Sequence, residues 1–137
     1  MNAEQSPLFK LLPIVRITMI FTVFMAGGIV WYLFGSNGNV TERVTLEADA
    51  RQYINIFFLA LIGVVALVVM FVRRKLEQDL ATPQKFAFVL AAWATAEGVA
   101  LLGATFNMWG DTTFFIAGVM ILLMTFMVVP IPSNNLD

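Results

Sequence analysis

Apolar residues fall into four long runs separated by short polar segments. These uncharged or nearly uncharged runs are residues 17–41, 52–72, 86–109 and 112–136, and only the third contains a charge, at Glu97. About 20 apolar residues rising 1.5 Å each cross a hydrocarbon core of about 30 Å. The pattern predicts an all-α membrane protein of one domain, residues 1–137, with four transmembrane helices in an up-down bundle at about residues 14–35, 53–72, 86–108 and 113–130.

Prolines and polar turns set the expected ends of these spans. Proline suits the first turn of a helix, so the first helix is expected to begin near Pro13. The Pro130-Ile131-Pro132 segment is expected to end the fourth helix, because proline cannot continue one cheaply. The first apolar run is longer than the 7–15 residues of a signal-peptide core, which predicts a retained span.

Lysine and arginine are distributed unevenly between the polar segments. Six of them precede the first span or lie between the second and third, namely Lys10, Arg16, Arg73, Arg74, Lys75 and Lys85. Only Arg43 and Arg51 lie on the other side. Because cytoplasmic loops are enriched in these cations, both termini are expected to be cytoplasmic. With no targeting signal recognised, the expected location is a prokaryotic plasma (inner) membrane.

The Arg73-Arg74-Lys75 cluster at the end of the second span allows two interpretations. The favoured one is that it only sets the orientation of the helices. The other is that it binds anionic lipid, because basic residues beside a span attract negatively charged head groups.

Composition excludes several function classes. The chain is 60% hydrophobic and 12% charged, whereas soluble domains average about a quarter charged residues. A net charge of −1 argues against nucleic acid as a partner. The absence of cysteine and histidine removes the usual ligands of redox metals and zinc, so no cofactor or metal is expected and enzymatic activity is the least supported class.

Glu97 is the candidate site residue. It lies eleven residues after Phe86, about 16 Å along a helix and close to the middle of a span. An ionised carboxylate at that depth costs between about 3 and more than 10 kcal/mol, so the acid is expected to be neutral or paired. Arg16 is expected close to the cytoplasmic surface, too far for direct pairing. The candidate hydrogen-bond partners are Thr22, Thr95 and Thr125.

Small residues around Glu97 predict close contacts between helices. In lipid, helix association depends on close backbone approach, which glycine and alanine allow. The residues expected to pack helices together in this way are Gly27, Gly28, Gly63, Ala94, Gly98, Ala100, Gly103 and Ala104.

The same helix carries a resemblance to a known family. The pattern Ala96-Glu97-x-x-Ala100-x-x-Gly103 resembles the carboxylate helix of the proteolipid c subunits of rotary ATPases, which implies a proton-carrying or sodium-carrying acid at Glu97. The second span lacks the glycine-repeat seam of that family. The chain as a whole resembles small four-span membrane proteins of bacteria, a likeness that implies a topology and no activity.

Three roles for Glu97 remain open at this stage. The favoured one is a hydrogen bond between helices or subunits, in an oligomeric accessory or scaffold protein that associates with itself or with another membrane protein. The main alternative is a proton or cation translocating subunit with Glu97 as the ion-carrying carboxylate. The third is contact with a lipid head group, a small ligand or a basic residue of a partner.

Overall fold

The structure is a computed structural model that describes residues 7–35, 48–106 and 112–132. It is all-helical, as predicted, and no strand occurs among these residues. The helices are α1 (Pro7–Val30), which continues into a π-helical turn at Trp31–Gly35, α2 (Ala48–Leu76), α3 (Thr82–Thr105) and α4 (Thr113–Val128). The polar segment between the first two predicted spans falls mostly within residues 36–47, and most of the segment before α4 falls within residues 107–111, both outside the described residues.

Three of the helices are long and apolar enough to cross a bilayer. The qualifying segments are Pro7–Leu33, Ala50–Leu76 and Thr82–Thr105. Helix α4 has 16 residues and rises about 24 Å, which is less than a hydrocarbon core of about 30 Å. The prediction of membrane-spanning helices therefore holds for three of them by length and composition, and the fourth span stays a prediction.

Helix α3 occupies the centre of the bundle. It packs against α1, α2 and α4, whereas no Cα atom of α1 comes within 8 Å of one in α2 among the described residues. The contacts also show in which direction the helices run relative to one another. Trp93 of α3 bonds to Val129 while Gly103 lies against Phe114, so α3 and α4 run antiparallel. Helix α2 likewise runs antiparallel to α3 and places Phe71 on Phe88 near the start of α3.

The tightest seam joins α3 and α4. Gly103 lies against the backbone carbonyl of Phe114, and Gly118 lies against the backbone of Ala100. In lipid there is no hydrophobic driving force for apolar side chains to associate. Close backbone approach therefore supplies much of the attraction between these helices. The seam continues as a core in which Val89, Ala92, Trp93, Ala96 and Ala100 of α3 are fully or almost fully enclosed.

The expected start of the first helix is wrong. Helix α1 begins at Pro7 and contains Pro13 in its interior. Pro13 has helical residues on both sides, where its missing N–H leaves a carbonyl of the preceding turn without an intrahelical bond. The chain tolerates the interior proline on an exposed side of the helix.

The basic cluster lies inside α2 rather than after it. Arg73, Arg74 and Lys75 form the last turn of this helix, which ends at Leu76. Cations at this position interact favourably with the partial negative charge of a helix C-terminus. Helix α3 then starts at Thr82 with Pro83 in its first turn.

Replacing Gly118 tests the close approach of α3 and α4. A β-carbon at Gly118 would lie 2.7 Å from the Cα atom of Ala100, whereas one at Gly63 meets no atom within 4 Å. Gly118→Val should therefore lower the Tm of the protein in mild detergent, because overpacking costs about 1–3 kcal/mol. Gly63→Val, with the same change of side chain, is the control and should leave the Tm near that of the wild type. Equal Tm values for the two variants would contradict this packing.

Candidate functional site

A cation from α1 lies against the end of α4. The Nη2 atom of Arg16 donates a hydrogen bond to the carbonyl oxygen of Phe126 at 3.2 Å. Its Cζ atom lies 4.9 Å from the centre of the Trp93 ring and 5.2 Å from that of Phe126. The guanidinium therefore gains attraction from two aromatic rings as well as from a carbonyl dipole.

Trp93 makes a second bond to the same end of α4. Its Nε1 atom donates to the carbonyl oxygen of Val129 at 2.9 Å, and its ring meets that of Phe126 edge-on with centroids 5.0 Å apart. The last carbonyls of a helix have no partner inside it. Arg16 and Trp93 supply donors to the C-terminal end of α4. We call Arg16, Trp93, Phe126 and Val129 the Arg16 cluster.

The guanidinium of Arg16 lies at the C-terminal end of α4 and beside Trp93, which is near the middle of α3. Its expected closeness to the cytoplasmic surface stays a prediction. Trp93 and Glu97 are four residues apart and so share a face of α3, which places Arg16 about one helical turn from the level of Glu97. The Nε atom of Arg16 is buried and has no hydrogen-bond partner among the described residues.

Glu97 is partly exposed within a single chain. It is neither hydrogen-bonded nor ion-paired to any residue that the structure describes. On α3 it lies between buried residues, such as Ala96 and Ala100, and the exposed Ala94 and Gly98. The acid is thus at the edge of the packed side of α3, where an incoming group can reach it.

The three predicted hydroxyl partners of Glu97 bond elsewhere. Thr22 donates to the carbonyl of Thr18 at 2.8 Å, Thr95 to that of Ala91 at 2.7 Å, and Thr125 to that of Ile121 at 2.8 Å. Each bond joins a hydroxyl to the carbonyl four residues earlier, a common arrangement for threonine in an apolar helix. The donor of each threonine is therefore used inside its own helix.

The predicted helix-packing residues divide into two groups. Gly27, Ala100, Gly103 and Ala104 are buried, with Gly27 against the ring of Phe115. The other four face outward from the single chain, and the three glycines among them meet nothing within 4 Å of an added β-carbon: Gly28, Gly63, Ala94 and Gly98. Whether these outward residues pack against another chain stays a prediction.

Sequence reasoning missed the Arg16 cluster, although one signal was present. Tryptophan usually anchors the ends of a span, yet Trp93 lies eleven residues into α3. A tryptophan placed so far from water needs an acceptor for its indole N–H. Its position in the run therefore indicates a polar contact, but not which helix supplies it.

Comparison of the chain with protein-family models, curated proteins and solved structures gave no match, so the site is interpreted from its geometry alone.

Trp93→Phe tests the contribution of the Arg16 cluster to stability. The change leaves a ring beside Arg16 but removes the donor to Val129, and a buried acceptor left without its donor costs about 1–3 kcal/mol. We expect a lower Tm in detergent. Trp31→Phe is the matched control because Trp31 is 41% exposed. If both variants unfolded at the wild-type temperature, the indole bond would have no stabilising role.

Proposed function

We propose that this protein is a small integral membrane protein that works by associating with a second copy of itself through the outward face of α3. This face consists of Ala87, Ala91, Ala94 and Gly98, with Glu97 at its edge. The proposed role is that of an accessory or scaffold subunit, whose activity is the assembly that it forms.

The observation that carries this proposal is the unpartnered carboxyl of Glu97. It is the one acid within the three apolar segments that are long enough to span a bilayer, Pro7–Leu33, Ala50–Leu76 and Thr82–Thr105. In lipid, a polar group without a hydrogen-bond partner is costly, and acids in such helices face protein or water. A neighbouring helix that offers a carbonyl or hydroxyl would bury Glu97 and satisfy it.

The surroundings of Glu97 support a helix as the incoming group. The four small residues of the outward face are exposed, and their side chains allow another backbone to approach closely. Helices α1 and α2 pack on α3 with no Cα atoms within 8 Å of each other among the described residues, so the outward face is open between them. A helix that docks there would cover Glu97 at the same time.

Ion translocation is the second candidate. It is supported by the partial exposure of Glu97, which makes the acid accessible to a proton or cation from outside the chain. In that case several copies of the chain would surround an ion path, and Glu97 would carry the ion along it. The cytoplasmic location of both termini stays a prediction based on the distribution of lysine and arginine.

Self-association can be measured between copies labelled with donor and acceptor dyes in lipid vesicles. Ala94→Leu should weaken energy transfer at least severalfold, because a leucine on the outward face blocks close approach of a second helix. The control is Ala66→Leu, the same change at an exposed position of α2, which should keep the wild-type signal. A wild type that stays monomeric at all protein-to-lipid ratios, or equal losses in both variants, would contradict the proposal.

Variants of Glu97 separate the two candidate functions. Glu97→Gln keeps a hydrogen-bonding side chain, so energy transfer should persist, whereas Glu97→Leu should reduce it. Proton or sodium flux into the same vesicles should be absent in every variant, including the wild type. A wild-type flux that Glu97→Gln abolishes, with association unchanged, would instead establish ion translocation.

A further inference from the structure

A cavity of about 660 Å³ lies where α2 ends, α3 begins and the chain leaves α4. Its charged lining consists of Arg73 in the last turn of α2, Glu77 just after that helix, and Lys85 near the start of α3. The remaining wall is apolar and includes Met127 with the segment that follows α4, Pro130 to Pro132. The cavity lies at the opposite end of the helices from Gly103 and shares no lining residue with the outward face of α3.

Antiparallel packing of α2 and α3 brings the two cations together. Arg73 and Lys85 are twelve positions apart in sequence and both line the cavity. The other two residues of the predicted lipid-binding cluster, Arg74 and Lys75, do not line the cavity. The Nζ atom of Lys75 lies 5.6 Å from the centre of the Phe71 ring on its own helix. The two cations that line the cavity are therefore Arg73 and Lys85.

The apolar wall indicates an amphipathic ligand. Met127 is 80% exposed and Val128 is 38% exposed, so the wall continues directly into the outer surface of α4. Cations at the ends of apolar helices lie at the level where phospholipid head groups begin. Arginine and lysine bind a phosphate through charge-assisted hydrogen bonds, and an acyl chain would cover the apolar wall. A free phosphate would leave the apolar wall uncovered.

Glu77 adds selectivity among phospholipids. A carboxylate in the same cavity repels a ligand that carries only negative charge and attracts one that also has an ammonium group. We propose that this cavity binds one phospholipid of the phosphatidylethanolamine class. Its phosphate bonds to Arg73 and Lys85, its ammonium to Glu77, and an acyl chain lies along Met127 and Val128.

Native mass spectrometry of the full chain, released from detergent with added lipid, tests this site. The probes are phosphatidylethanolamine and phosphatidylglycerol with the same acyl chains, and inorganic phosphate. We expect one retained phosphatidylethanolamine per chain. Arg73→Gln together with Lys85→Gln should weaken retention at least about tenfold, since it removes two charge-assisted bonds. Arg74→Gln is the control and should retain the lipid as the wild type does.

Two further results can overturn the proposal. If Glu77→Gln left the preference for phosphatidylethanolamine over phosphatidylglycerol unchanged, the ammonium contact would be wrong. If millimolar inorganic phosphate displaced the lipid completely, the cavity would be a phosphate site. Unchanged retention in the variant that lacks both cations, or equal retention of both lipids by the wild type, would contradict the assignment as a whole. None of these outcomes depends on self-association.

Discussion

The bond between Arg16 and the end of α4 is the interaction on which the helix arrangement depends. The last carbonyls of a helix have no partner inside it, and α4 is the shortest of the four described helices. Arg16 from α1 and Trp93 from α3 supply donors to the carbonyls of Phe126 and Val129. Three helices therefore meet at one end of α4, and moving any one of them would leave a carbonyl or a cation without its partner.

This arrangement also explains why α1 and α2 can lie on separate sides of α3. Arg16 and the contact of Gly27 with Phe115 hold α1 to α4 along its length. On the other side, Phe58 packs against Phe114 and Phe71 packs against Phe88. Helix α1 and helix α2 each pack against the α3 and α4 pair through their own contacts. The position of one therefore does not depend on contacts with the other. The outward side of α3 stays open as a consequence.

The number and type of helices could be predicted from the sequence, because the length of an apolar run is a local property. The Pro130 to Pro132 segment likewise lies just beyond the end of α4 at Val128. Which small residues pack inside the chain could not be predicted. Gly28 and Gly98 resemble Gly27 and Gly103 in the apolar pattern, but only the latter two face another helix. That difference depends on helix rotation, which long-range contacts set.

Arg16 illustrates the same limit and bears directly on Glu97. A position near the start of an apolar run suggested a cation close to the surface, but it did not indicate that an acceptor on α4 and two aromatic rings would hold the guanidinium. The guanidinium of Arg16 is held by Phe126 and Trp93 and makes no ion pair with Glu97. Three threonine hydroxyls donate to carbonyls of their own helices. These donors are used within the fold of the described chain, which is why a second chain is the proposed source of a partner for Glu97.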